Sequence, residues 1–88
     1  MSQYSVEISR RAVKAIAALE RAEGLRVRAA IDLLAGEPHP PGCVQLAGEA
    51  SAHRVRVGDF RIVSEIIDDR LVIQVVRVGH RRDIYRSP

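Results

Sequence analysis

The chain has 88 residues, a formal charge of +3 and a hydrophobic fraction of 47%. That suffices for one small core and one domain spanning residues 1–88, and argues against a disordered chain. Cys43 is the sole cysteine, which excludes an internal disulfide, and no apolar run is long enough to span a bilayer, so no membrane association is expected.

Aromatic residues make up only 3% of the chain, so the core is expected to be Val, Ile, Leu and Ala. A reducing, cytoplasmic location is expected from the lone cysteine and from an N-terminus without signal-peptide features. Net charge alone is too small to imply a nucleic-acid partner. The distribution of charge carries more, because basic density rises after residue 53.

Tyr4 to Ile8 alternates and reads as a short strand. Ser9 is placed to cap a following helix. Residues 10–22 are rich in Ala, Arg, Lys and Glu, with Val13, Ile16, Ala17 and Glu20 at helical spacing, and Gly24 is expected to break this helix. A second helix is expected over 25–35, with Val27, Ala30, Ile31 and Leu34 as its apolar stripe and Gly36 and Pro38 as its stop. So short a break predicts an αα-hairpin.

Residues 36–42 form a loop by composition, and Val44 to Leu46 a brief strand before Gly48. His53 to Val57 alternates. Gly58-Asp59 then signals a two-residue hairpin, with Gly first suiting a type II′ turn. Phe60 to Ile67 returns, and Asp68-Asp69-Arg70 is the next turn. Leu71 to Val78 is almost continuously apolar and predicts a central strand covered on both faces, ended by Gly79. The resulting β-α-α-β-β-β order is an α+β fold, a small antiparallel sheet with a helical hairpin on one face. Alternation puts Val55 and Val57 toward the helices, and Arg54 and Arg56 together on the other side.

The C-terminal third concentrates Arg54, Arg56, Arg61, Arg77, Arg81, Arg82 and Arg86 with His53, His80 and Tyr85. Guanidiniums bind phosphate in planar, bidentate fashion. No cluster of carboxylates or cysteines accompanies them to hold a metal, and no cofactor is expected. The combination points to RNA and to chemistry without a metal.

Three segments carry a family resemblance: Arg54 to Val63 with the Leu46-x-Gly48 upstream of it, the Asp68-Asp69 turn, and Val78 to Arg86 (Val-Gly-His-Arg-Arg-Asp-Ile-Tyr-Arg). Together, in this order and spacing, they resemble the RelE/ParE superfamily of bacterial toxins over essentially the whole chain. The resemblance implies the toxin of a type II toxin–antitoxin module, held inactive by a RelB-like antitoxin that supplies the operator-DNA binding. RelE-type members cleave mRNA in the ribosomal A site. ParE-type members act on DNA gyrase. Basic residues at family positions favour the RelE branch. There Arg54 and Arg56 stand where the branch has lysines, Arg61 and Arg81 where it has arginines, and Tyr85 where it has a tyrosine. Both lysines are replaced by arginine here, and the chain stops at Pro88, where some members continue into a short helix.

Metal-free RNA cleavage needs a base for the 2′-OH, charge stabilisation at the phosphorane and an acid for the 5′-oxygen. Arginine serves the second need and fails the first, because it does not deprotonate in proteins. Arg54 and Arg56 are therefore read as phosphate clamps, with Arg61 on the scissile phosphate and Arg81 there or at the leaving group. That leaves His80, His53 and Tyr85 for proton transfer, with His80 the strongest candidate, since an imidazole titrates near neutrality. Tyr85 is read as a catalytic-site residue that orients the base by stacking. The blander readings are a solvated arginine face, a His80 that only caps a strand, and turn chemistry at Asp68 and Asp69. The gyrase-inhibitor reading and that of a silenced toxin scaffolding its antitoxin stand beside the nuclease.

Overall fold

The computed structural model describes residues 4–46 and 52–83. Its elements are β1 (Ser5–Ile8), α1 (Arg10–Ala17), α2 (Arg21–Leu34), β2 (Val44–Gln45), β3 (Ala52–Val57), β4 (Phe60–Ile67) and β5 (Val72–His80), with a 3-10 turn at Asp68–Arg70. The strands form one sheet in the order β1-β5-β4-β3-β2. The expected α+β architecture is present. The pairs β2–β3, β3–β4 and β4–β5 are antiparallel, while β1 lies parallel to β5, which makes the sheet mixed. That one parallel pair follows from the two helices: they carry the chain from β1 across the sheet, so β1 ends beside the last strand instead of beside its sequence neighbour.

Ser9 starts α1 as expected. Its backbone is extended and its Oγ accepts from the Ala12 N–H. The helix then stops sooner than its composition suggests, at Ala17, and α2 begins at Arg21. Gly24 does not break a helix. It sits inside the first turn of α2, buried, where an added Cβ would lie 3.6 Å from the Ile16 carbonyl oxygen. The break falls instead at residues 18–20, so that two short helices can lie across one sheet face. Val13 and Ala17, expected on the apolar stripe of α1, are exposed, and Ala12 and Ile16 take the core positions.

The core joins Ala12 and Ile16 of α1 and Val27, Ile31 and Leu34 of α2 to Val55, Ile62, Ile66, Ile73, Val75 and Val78 of the sheet. Each fully buried Ile or Leu contributes roughly 1.5–3 kcal/mol relative to exposure. Two polar residues, Ser64 and His53, are buried with this layer, and the Ser64 hydroxyl has no partner among the described residues.

β5 is not covered on both faces. Ile73, Val75 and Val78 are buried, whereas Val72, Gln74, Val76 and Arg77 are only partly covered. The spacing of three between Val75 and Val78 has a cause. Val63 pairs with Arg77 and Ser64 with Val75, which leaves Val76 as an extra residue, a β-bulge. The bulge is tied down from outside the sheet. Ser9 donates its backbone N–H to the Val75 carbonyl at 2.9 Å and its hydroxyl to the Val76 carbonyl at 3.1 Å. One serine therefore caps α1 and anchors the irregularity in β5.

At the other end of β5, Leu71 adopts a left-handed backbone with φ of 54° to leave the 3-10 turn. The Tyr4 hydroxyl donates to Asp68 Oδ1 at 2.6 Å, which fastens the start of the described chain to that turn. This hydrogen bond is the main reason the phenol pKa is raised from 10.0, with desolvation and the neighbouring carboxylate charge adding to it.

Candidate functional site

Strand alternation sorts β3 and β4 side chains between two faces. Val55 and Ile62 pair on the helix side and are buried. Arg54, Arg56, Arg61 and Val63 therefore stand on the face opposite the helices, in two cross-strand rows. Arg56 is directly opposite Arg61, and Arg54 is directly opposite Val63. Opposed side chains lie about 4.5–5.5 Å apart at Cβ, and like charges there repel. An arginine pair in that relation is a standing cost that a bound anion removes.

The hairpin turn gathers further guanidiniums. Gly58 has φ of 57° while Asp59 keeps an ordinary negative φ, as a type II′ turn requires. Arg61 Nη1 donates to the carbonyls of Gly58 and Phe60 at 3.2 and 3.0 Å. The Arg26 guanidinium arrives from α2, with Nη2 3.2 Å from where a Gly58 Cβ would stand. Arg81 extends the β4–β5 ladder by one rung, its N–H donating to the Asp59 carbonyl at 2.7 Å, and its Nε lies 3.9 Å from Asp59 Oδ1. Both of these side chains are largely exposed, so the ion pair itself adds little stability and leaves Arg81 available to a ligand.

His80 is not brought to this face. It pairs with Phe60, and its ring packs edge-on against the Phe60 ring at 5.6 Å, on the helix side of the sheet. Its Nδ1 accepts from the Arg82 N–H at 3.1 Å. That contact engages the Nδ1 lone pair and leaves Nε2 as the other ring nitrogen. The structure thus places His80, the expected proton-transfer group, apart from the Arg54, Arg56 and Arg61 face. His53 is buried opposite Ser64 and packs edge-on against His39 at 4.7 Å, so it too faces away. Tyr85 lies outside the described residues, as do Gly48 and Arg86.

One member of the basic cluster, Arg77, was given no place on this face by sequence reasoning. Arg77 pairs with Val63 and so joins the row of Arg54. Strict alternation would have grouped it with Ile73 and Val75 in the core. The bulge at Val76 reverses the parity and turns Arg77 outward. The only signal in the sequence is the charge itself, an arginine within an apolar run. Carboxylates on this face lie farther along the strands, in the row of Glu65, Gln74 and Glu7, where Gln74 Nε2 donates to Glu7 Oε1 at 3.3 Å. No group of three metal-ligating side chains occurs among the described residues, and no helix among them is long and apolar enough to cross a membrane.

The family model of the ParE toxin of the type II toxin–antitoxin system, parDE, matches residues 6–85. The chain belongs to this toxin family. The toxin is 28% identical over 90 residues to a toxin named RelE1 of Methanocaldococcus jannaschii, covering 98% of this chain and 99% of that protein. Among solved structures it is similar to the RelE–RelB complex of Pyrococcus horikoshii, with a TM-score of 0.80, 28% identity and coverage of 96% and 98% of the two chains. The RelBE2 toxin–antitoxin complex of Mycobacterium tuberculosis gives a TM-score of 0.79 at 25% identity, covering 90% and 99%. A structure of Escherichia coli RelE, at 19% identity and a TM-score of 0.77, shares the fold. The toxin is thus a type II toxin–antitoxin toxin of the RelE/ParE superfamily.

Proposed function

We propose that the toxin is a ribosome-dependent mRNA endoribonuclease, and that a RelB-like antitoxin holds it inactive. The observation that carries this reading is the sheet face away from the helices, with Arg56 directly opposite Arg61 and Arg54 in the adjoining row. Such a face is built for a phosphodiester backbone. In the proposed reaction the 2′-oxygen attacks the adjacent phosphorus, the bond to the 5′-oxygen breaks, and the products are a 2′,3′-cyclic phosphate and a 5′-hydroxyl. Arg56 and Arg61 bind the scissile phosphate and take up the extra negative charge of the phosphorane. Arg81, held over the hairpin turn, stabilises the departing oxygen. With both described histidines of the region on the other face, Tyr85 is left as the residue to stack on the base and to move a proton.

Ribosome dependence fits a site that contains cations but no described base. Positioning of the attacking 2′-OH in line with the leaving oxygen then supplies much of the acceleration. The antitoxin reading is supported by the RelB complexes among the similar structures and by exposed apolar side chains, notably Leu25 and Leu33 of α2 and Val44 of β2.

One observation favours a second reading: the matching family model is that of ParE toxins. On that reading the same arginine face contacts DNA gyrase without nuclease chemistry. Primer extension on mRNA in translating ribosomes separates the two. Discrete A-site cuts by the wild-type chain, suppressed by Arg61→Ala and Arg81→Ala, are expected. Intact message at toxic doses, with gyrase-linked DNA breaks, overturns the nuclease reading in favour of the second.

A further inference from the structure

We propose that Arg77 is a phosphate-binding residue of the toxin, and that it and Arg54 hold the phosphate next to the one held by Arg56 and Arg61. The proposal rests on the RNA reading above and extends it from one phosphate to two.

The argument is geometric. Arg54, Val63 and Arg77 form one cross-strand row, and Arg56, Arg61 and Gly79 form the next row on the same face. Two residues along a strand separate the rows, a distance of about 6.5–7 Å. That is close to the step from one phosphate to the next along an RNA strand. Within the first row, neighbouring strands lie about 4.7–4.9 Å apart. Arg54 and Arg77 thus flank the short Val63 side chain, and both are long enough to lean over it toward one anion. Gly79, at the end of the second row, has no side chain to obstruct a strand passing between the rows.

The bulge gives an independent reason to attach a role to Arg77. A bulge forfeits regular pairing and bends the strand, and bulges re-aim side chains beside functional sites. Here the extra residue is Val76, immediately before Arg77, and Ser9 anchors it with a hydroxyl and a backbone hydrogen bond. Its consequence for β5 is the reversal that carries Arg77 from the core side to the arginine side.

The test uses the full chain and a 2′-O-methylated single-stranded RNA oligonucleotide, which has no free hydroxyl to attack. Binding is followed by fluorescence anisotropy across a salt series. Each phosphate contact on a single strand contributes about 0.7 to the slope of log affinity against log salt. Arg77→Gln should lower the slope by that amount, and Arg77→Lys should restore it. Arg56→Gln should lower it similarly. Arg70→Gln, in the exposed 3-10 turn, should leave it unchanged. Circular dichroism confirms that each variant is folded. A wild-type slope in Arg77→Gln together with a reduced slope in Arg56→Gln overturns the proposal and leaves the RNA face standing. Wild-type slopes in both variants, or no binding by the wild-type chain, overturn the RNA face and the proposal together.

Discussion

Ser9→Ala tests how the fold is held at the junction of β1, α1 and β5. The hydroxyl has two tasks: it accepts from the Ala12 N–H at 3.1 Å and donates to the Val76 carbonyl at 3.1 Å. Loss of a serine N-cap costs about 0.5–2 kcal/mol. Loss of a neutral side-chain hydrogen bond costs about 0.5–1.5 kcal/mol. The two together give about 2 kcal/mol, or on the order of 8–16 °C in Tm for a domain of this size. Thr keeps both functions and should lie near the wild type. Asp keeps the acceptor for Ala12 but has no proton for Val76, and should lose about 1 kcal/mol. Urea unfolding of the four chains, with equal m-values, provides the comparison. A Ser9→Ala midpoint equivalent to less than about 0.5 kcal/mol of loss would refute the double role, since neither term alone falls below that range.

Three further outcomes follow from the same structure. Gly24→Ala should stabilise the toxin by about 0.4–1 kcal/mol in urea unfolding, because the helical position suits alanine and its Cβ would make an ordinary contact at 3.6 Å with the Ile16 carbonyl; destabilisation would show that the helices cannot tolerate even that methyl. In a Tyr85→Phe background, phenolate absorbance should place the Tyr4 titration above its ordinary 10.0, and Asp68→Asn should lower it. The raised phenol pKa means that this bond supports the fold below the ordinary tyrosine range and is lost as pH climbs through the folded value. His80→Gln should retain message cleavage within a few-fold, whereas Arg61→Ala should lose it; equal losses would return His80 to the chemistry.

The elements that were legible in the sequence are those whose signals are local. Ser9 as a cap, the alternation of His53 to Val57 and the Gly58-Asp59 turn each depend on a few adjacent residues, and each stands where it was expected. The facing of Arg54 and Arg56 followed from the same alternation. What was not legible depends on partners far away in the chain. Gly24 looks like a helix breaker until α1 is seen to end against it. The apolar run of β5 looks doubly buried because nothing within it announces that Val76 is an extra residue. Arg77 was hidden by that bulge, and the placement of His80 on Phe60 depends on a pairing across the sheet.

The position of β1 has a consequence for how the toxin is made. Ser5 pairs with Val72 and Ile8 with Val75, so the first strand waits for the last. Contacts of such sequence separation form slowly, because a long loop must close before they are rewarded. On a translating ribosome β1 has no partner until β5 has emerged from the exit tunnel. Until then the nascent chain presents two short helices and an unfinished sheet, with the row of Arg54 and Val63 still lacking Arg77. A chain released before residue 72 therefore lacks β5, and with it both Arg77 and the strand on which β1 pairs.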